Sequence, residues 1–356
     1  MKGAFRILKI WGIDINIHLT FLILPLFFWY IYGLTGIFII FAVFTCVAAH
    51  ELTHSVVAKS FGIEVDKITL LPIGGIANMR SFPQTPKQEF LISISGPLFN
   101  VLLAVVLYLP LKAILGSEVL MHPNPGNWPG AIAYAFWVNP VLAGFNLLPA
   151  FPMDGGRILR SLLAIKLSYR KATKIAVVFG HIFALIFAFI ALSTQPPNFI
   201  LLLIALFIFQ AASQENSTAA LKDTLDRIKV GDALVDKLYT ISSQAKIEEV
   251  LNIALHAAQK DFPVLDSNNN TIGFLPREKV VMAVGSKELD RKVEDFMLRD
   301  FTSLESEELL SAAYVKMENS KLKALPVIDD GVLKGVLTLE DVSKTFTLYS
   351  RSRRRR

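Results

Sequence analysis

Apolar residues fill the first 213 positions in long runs, whereas from residue 220 onward the runs shorten and charge is interleaved. Six runs stand out, at residues 17–33, 36–59, 89–111, 130–149, 174–193 and 198–213. Roughly 20 apolar residues cross a bilayer as a helix. The runs therefore predict about six transmembrane helices, the last of them short. Two stretches between the runs alternate polar and apolar residues instead, 11–18 (WGIDINIH) and 63–70 (IEVDKITL), and predict short strands. The second ends at a turn signal, Pro72-Ile73-Gly74-Gly75. Non-helical backbone near a membrane needs cover from protein or water. The strands therefore predict a small sheet over a buried site, with the 63–70 strand offering an edge to an extended peptide.

The second part of the chain repeats itself. Phe262-Pro-Val-Leu-Asp266 recurs as Leu325-Pro-Val-Ile-Asp329, and Thr271-Ile-Gly-Phe-Leu-Pro-Arg-Glu278 recurs as Leu333-Lys-Gly-Val-Leu-Thr-Leu-Glu340. Each copy reads as helix, strand, strand, helix. The domain plan is residues 1–213 in the membrane, a charged helical linker at 214–229, repeats at 230–288 and 289–348, and a basic tail at 349–356. The expected fold is a polytopic α-helical membrane protein with short β segments, plus a soluble α/β pair.

Charge adds orientation. The chain of 356 residues is 19% charged, with a formal net charge of +6, against about 25% charged for ordinary soluble domains. Positive loops face the cytoplasm. With the N-terminus inside, Lys2, Arg6 and Lys9, then Lys59, Lys67, Arg80 and Lys87, then Arg157, Arg160, Lys166, Arg170, Lys171 and Lys174 are all cytoplasmic, while the outer loops hold only Lys112. Both termini and the repeat pair are then cytoplasmic, in a multi-pass protein of the cell membrane. The basic surplus is spent on topology, so no nucleic-acid partner is expected. The arginine-rich tail is a solvated cluster within reach of anionic lipid. A single cysteine, Cys46, excludes an internal disulfide and a cysteine-based metal site.

The candidate chemistry lies in the second apolar run, at His50-Glu51-Leu52-Thr53-His54. Residues four apart share a helix face, so His50 and His54 can present two imidazoles to one Zn²⁺. Glu51 stands next to them, able to take a proton from a metal-bound water. Ionisable groups at membrane depth are costly and mark function. Two histidines do not complete a catalytic zinc site, which normally has three protein ligands. An HExxHxxGxxH extension fails at Val57 and Ser60. Asp154, in Asn146-Leu-Leu-Pro-Ala-Phe-Pro-Met-Asp-Gly-Gly156, could close a His₂Asp site, but the pattern alone favours a turn at Asp154-Gly155.

Three motifs in order, the HELTH of a membrane helix, Ser95-Gly-Pro-Leu-Phe-Asn100, and NLLPAFPMDGG at 146–156, resemble the site-2 protease family of intramembrane metalloproteases. The resemblance implies that His50, His54 and Asp154 bind one zinc per chain and that Glu51 is the catalytic base. It also implies that Asn146 contacts substrate, and that Gly96, Pro97 and Asn100 belong to a packing and substrate-cleft motif. The implied partners are the lipid bilayer and a membrane-protein substrate, such as an anti-sigma factor or a membrane-tethered transcription factor precursor. The repeat at 230–348 resembles a pair of cystathionine-β-synthase-type (CBS) domains, which implies regulation by an adenosine nucleotide, ATP or AMP, and a route to a homodimer. Gly335, Thr338 and Asp341 match the nucleotide-binding positions; Gly273, Pro276 and Lys279 in the first repeat depart from them. Two other functions compete for the same sequence features. A CBS-regulated transporter should show two matched halves with paired charges, and none are visible. An inactive membrane scaffold would not need the four side chains that are present.

Overall fold

The computed structural model describes residues 3–354 apart from Ile73, residues 80–82, Gln84, residues 235–237 and Ala258, and only the backbone of residues 350–354. Ile73 of the expected turn, Lys2 and Arg80 among the expected inner charges, and Arg355 and Arg356 of the tail lie outside the described residues. The chain divides into two compact units, Met1–Ala219 and Ala220–Arg356.

The first unit opens with a sheet. Strands β1 (Ala4–Ile10) and β2 (Ile13–His18) form an antiparallel hairpin. Its turn, Trp11-Gly12, has positive φ at both residues, the backbone that two-residue hairpins require. Strand β2 then pairs in parallel with β3 (Val65–Leu71), which pairs antiparallel with β4 (Gly74–Met79). A parallel pair needs a long crossover; here it carries helices α1 (Ile23–Tyr32) and α2 (Leu34–Ser60). Alternation along the strands turns Ile13, Ile15, Ile68 and Leu70 inward against Phe21, Phe44 and Ala58, so the sheet lies on α2.

The sheet and the first helix depart from the pattern in the sequence. The 63–70 strand offers no edge, because β3 is paired on both sides; among the described strands the free edges are β1 and β4. The first apolar run does not form a single helix of spanning length. Its start belongs to β2, Leu19–Leu22 form a 3₁₀ turn whose Thr20 amide donates to His18 Nδ1 at 3.3 Å, and α1 has only ten residues. That is about 15 Å of helix, and Gly33 at φ 62° ends it.

Four described helices are long and apolar enough to cross a membrane: α2, α3 (Pro86–Leu115), α7 (Tyr169–Ser193) and α8 (Phe199–Leu225). Helix α4 (Ser117–Met121) is a single turn. Helix α5 (Trp128–Asn146) has the length but carries Asn139 and Asn146, so the fourth run does not meet that standard either. Helix α6 (Asp154–Ala164) is short. The sixth run is longer than expected: α8 continues unbroken to Leu225, through much of the 214–229 segment. Long exposed apolar side chains on these helices, such as Val105, Leu109, Leu185 and Leu203, are what a lipid-facing surface requires.

The second unit contains the two repeats. The first comprises β5 (Ile241–Ser242), α9 (Ile247–His256), β6 (Phe262–Leu265), β7 (Thr271–Leu275) and α10 (Arg277–Gly285). The second comprises α11 (Leu310–Ser320), β8 (Ala324–Asp329), β9 (Val332–Thr338) and α12 (Leu339–Arg354). Ile241 pairs in parallel with Val264, and Leu304 bridges Val327 in the same sense, so the copies share a register as well as an order. The chain leading into the first repeat packs on the second: Leu225, Ile228 and Val230 are buried with Leu310, Leu325 and Leu337.

Candidate metal centre

Helix α2 presents His50 and His54 on one face, four residues apart, and both are buried at 3% and 6% exposure. Each ring is held from behind through Nδ1. His54 Nδ1 donates to the Ile92 carbonyl at 2.6 Å, and His50 Nδ1 lies 3.1 Å from Asn100 Oδ1. Ile92 and Asn100 are both on α3, which carries Pro97 in its interior. A carbonyl accepts only a donor, so the neutral His54 ring carries its proton on Nδ1; the Asn100 oxygen imposes the same tautomer on His50. The two Nε2 atoms therefore face the site as lone pairs.

Gly96 makes this approach possible. A Cβ at that position would stand 2.3 Å from His54 Nε2 and 2.7 Å from His50 Cε1. Gly96, Pro97 and Asn100 are all buried on α3, and Gly96 and Asn100 meet the histidines. Asn100, with 0% exposure, supports His50; contact with a substrate would require α3 to be uncovered.

Asp154 reaches the same point from α6. The segment between α5 and α6 folds tightly back, with Met153 N–H donating to Ala150 O at 3.1 Å and Gly156 N–H to Met153 O at 3.0 Å. A Cβ at Gly155 would meet the Leu148 carbonyl oxygen at 2.2 Å, and one at Gly156 would meet the Phe151 nitrogen at 2.5 Å. The glycine pair thus lets the loop pack on the start of α6. Asp154 is the first residue of that helix, where the unpaired N–H groups and the dipole favour a carboxylate. Where the pattern favours a turn at Asp154-Gly155, the chain begins a helix, and Asp154 Oδ2 lies 3.1 Å from both Nε2 atoms, which are themselves 3.1 Å apart.

Three donor atoms converging at that spacing leave room for a cation between them. A zinc ion with arms of about 2.0 Å would set its ligands roughly 3.3 Å apart in a tetrahedron, close to what the side chains present. His50, His54 and Asp154 form a potential metal-holding group among the described residues, and the donor set, two imidazoles and a carboxylate, is one that zinc takes. Cys46 is not part of it; its Sγ accepts from Asn139 Nδ2 at 3.4 Å.

Glu51 faces β4. A Cβ at Gly75 would stand 2.6 Å from Glu51 Cγ, so the backbone of that edge strand lies directly over the carboxylate stem. Among the described residues, the Glu51 carboxylate makes no hydrogen bond. Asn146 ends α5, half-buried, eight residues before Asp154 and with no described side-chain hydrogen bond. In the second unit, Thr338 and Asp341 form a reciprocal cap at the start of α12: Thr338 Oγ1 donates to Asp341 Oδ2 at 2.5 Å, and Asp341 N–H donates to Thr338 Oγ1 at 3.1 Å. Gly335 packs on Leu234.

Sequence reasoning missed the Ile92 carbonyl, Gly75 and the buried charges around Arg160. A backbone acceptor leaves no residue-type signal. Glu89 and Arg160, charged residues beside apolar runs, were the available clue.

The chain matches Peptidase family M50 over residues 38–123 and 117–187, and the CBS domain over residues 293–347. It is 33% identical to a zinc metalloprotease of Methanocaldococcus jannaschii, an alignment covering 98% of this chain and 97% of that protein. It is 30% identical to stage IV sporulation protein FB of Bacillus subtilis over 36% of this chain and 41% of that one. Among solved structures, the site-2 protease from Methanocaldococcus jannaschii is 37% identical, covers 60% of this chain and 95% of its own, and superposes with a TM-score of 0.44. With identity running along nearly its full length and its apolar helices in place, the chain is a multi-pass membrane protein that belongs to Peptidase family M50, the site-2 protease-type zinc metalloproteases, and carries a C-terminal CBS pair.

Proposed function

We propose that His50, His54 and Asp154 hold a single Zn²⁺ and that Glu51 is the catalytic base for hydrolysis of a peptide bond in or near a transmembrane segment. The observation that carries this reading is the convergence of three acceptor atoms at 3.1 Å, each histidine fixed in the tautomer that leaves its Nε2 lone pair free. When bound, zinc lowers the pKa of its water and polarises the scissile carbonyl. Glu51 accepts the water proton at its carboxylate oxygen and returns it to the nitrogen of the leaving amine. Ile92 and Asn100 keep the rings oriented through the cycle. A substrate helix must unwind first, since its carbonyls are otherwise occupied by i→i−4 bonds. The free edge of β4, lying over Glu51, is suited to hold the unwound strand by main-chain pairing.

The substrate class proposed is a membrane-bound regulator, such as an anti-sigma factor or a transcription factor precursor, with both termini of the protease and its CBS pair on the cytoplasmic side. Asn146 is proposed to meet substrate backbone. Adenosine nucleotide is proposed to bind near Gly335, Thr338 and Asp341, where the second Asp341 carboxylate oxygen can take ribose hydroxyls, and the pair to support a homodimer.

Zinc content of the detergent-purified protein tests the centre. One zinc is expected in wild type and in Glu51→Gln, with loss in Asp154→Ala; absence of zinc from metal-replete wild type overturns the reading. ATP titration of the full chain, wild type beside Asp341→Asn, tests the nucleotide site. Equal affinity in both overturns the assignment of Asp341.

A further inference from the structure

Arg160 is a buried cation that the hydrolytic chemistry does not use. It lies on α6, six residues beyond Asp154. Its Nε donates to Glu89 Oε1 on α3 at 2.8 Å, its Nη2 donates to the same oxygen, and its Nη1 donates to Glu215 Oε2 on α8 at 3.1 Å. The guanidinium also packs on the rings of Phe151 (4.7 Å) and Tyr169 (4.8 Å). Phe151 precedes Asp154 by three residues, so one side chain grips both the loop and the helix that carry the carboxylate. A buried charge is tolerated only with good geometry and its hydrogen bonds made. Glu215 therefore cannot move far without drawing Arg160 along or abandoning it.

Packing around the triad points the same way. A Cβ at Gly180 of α7 would stand 2.8 Å from the Phe151 carbonyl oxygen and 2.9 Å from Ala212 Cβ. Ala212 and Glu215 are three apart and share a face of α8. Phe151, Ala176, Val177 and Ala212 form one buried cluster. Helix α7 is thus wedged against both the Asp154 loop and α8 with no slack for a methyl group. Helix α8 then runs on to Leu225, which is 1% exposed in the core of the second unit.

We propose that the Glu215–Arg160–Glu89 triad is a positioning device that makes the placement of the Asp154 carboxylate depend on the placement of α8. Arg160 is a positioning residue, acting through α6 and the Phe151 loop. Displacement of α8 at Glu215 is then read at the metal centre as a change in zinc affinity. The proposal rests on the metal-centre reading above.

The test uses the full-length, zinc-loaded protein in detergent and two readouts: zinc loss to a competing chelator, and backbone hydrogen exchange of residues 148–156. Glu215→Gln removes the charge at nearly constant shape. Asp223→Asn removes the same charge further along α8 and is the matched control. Asp154→Asn is the reference for a damaged centre. Glu215→Gln is expected to weaken zinc binding about tenfold, the lower end for lost outer support of a metal ligand, and to speed exchange in 148–156; Asp223→Asn is expected to do neither. Wild-type behaviour of Glu215→Gln in both readouts overturns the proposal, as does an equal effect from Asp223→Asn. If Asp154→Asn keeps its zinc, the metal-centre reading is what fails, and hydrogen exchange alone judges the triad. Should Glu215→Gln not fold, Glu215→Asp, which keeps the charge on a shorter arm, is judged by the same readouts.

Discussion

Replacing Gly96 by alanine adds one methyl group directly against the two histidine rings. The new Cβ would stand 2.3 Å from His54 Nε2, where ordinary contact begins at 3.4 Å, a deficit of about 1.1 Å. It would also press on Cε1 of both histidines, at 2.6 and 2.7 Å. The neighbours are ring atoms already fixed from behind by Ile92 and Asn100, not the ends of flexible chains. Relief must come from α3 moving off α2, or from an imidazole leaving its Nδ1 partner. Either displaces an Nε2 atom by nearly the full deficit, and a misplacement of about 1 Å can cost 100-fold in rate. Overpacking a core by a methyl costs about 1–3 kcal/mol, which leaves the protein folded. Gly96→Ala is therefore expected to remain folded by circular dichroism, to lose zinc to a chelator about 10- to 100-fold more readily, and to cleave a transmembrane substrate at least about 100-fold more slowly. Gly144→Ala, at a helical position with nothing near its Cβ, serves as the control. Wild-type zinc retention and cleavage by Gly96→Ala would refute the reasoning.

Further outcomes follow from neighbouring contacts. Asn100→Ala leaves the buried His50 Nδ1–H without its acceptor; zinc affinity should fall about 10- to 100-fold by chelator competition, whereas Asn100→Asp, which keeps an acceptor, should lose less. Glu51→Gln should bind zinc as wild type does and slow hydrolysis by about 10²- to 10⁴-fold, the contribution of a general base, read from product appearance on a gel. In the second unit, burial pushes the Asp261 carboxyl above its ordinary value of 3.8, partly opposed by the Arg277 N–H that donates to it. A raised carboxyl favours folding fully below pH 3.8, and that contribution is lost as pH rises through the folded value. Asp261→Asn, which keeps the acceptor without the charge, should raise the unfolding midpoint at neutral pH and match wild type in acid. A lower midpoint at neutral pH would contradict this.

Much of the organisation was legible in the chain because it rests on local rules. The HExxH spacing places two imidazoles on one helix face whatever surrounds them, and internal repetition exposes the paired α/β units without reference to contacts. Apolar runs locate membrane helices because lipid leaves the backbone no other satisfied conformation. Where those rules compete, the pattern misled. Residues 17–33 read as one apolar run, yet His18 belongs to a strand and caps a turn, and the α-helix that follows has only ten residues. The 63–70 segment alternates like an edge strand but lies between two partners. Neither fact is encoded within the segment itself.

Asp154 marks the boundary most clearly. Its own neighbourhood reads as a turn, and nothing local tells that turn from a ligand. Only the fold brings its carboxylate within 3.1 Å of two nitrogens a hundred residues away, on a loop that closes because Gly155 and Gly156 have no side chains to obstruct it. The same holds for the Ile92 carbonyl, for Gly75 over Glu51, and for Arg160 joined to Glu89 and Glu215. The chain by itself determined which chemical groups are present, which stretches are helical or repeated, and which face of α2 is reactive, because these follow from periodicity and residue type. The tertiary structure alone decided which distant groups meet, because contact between helices depends on the volumes of side chains that no local pattern records.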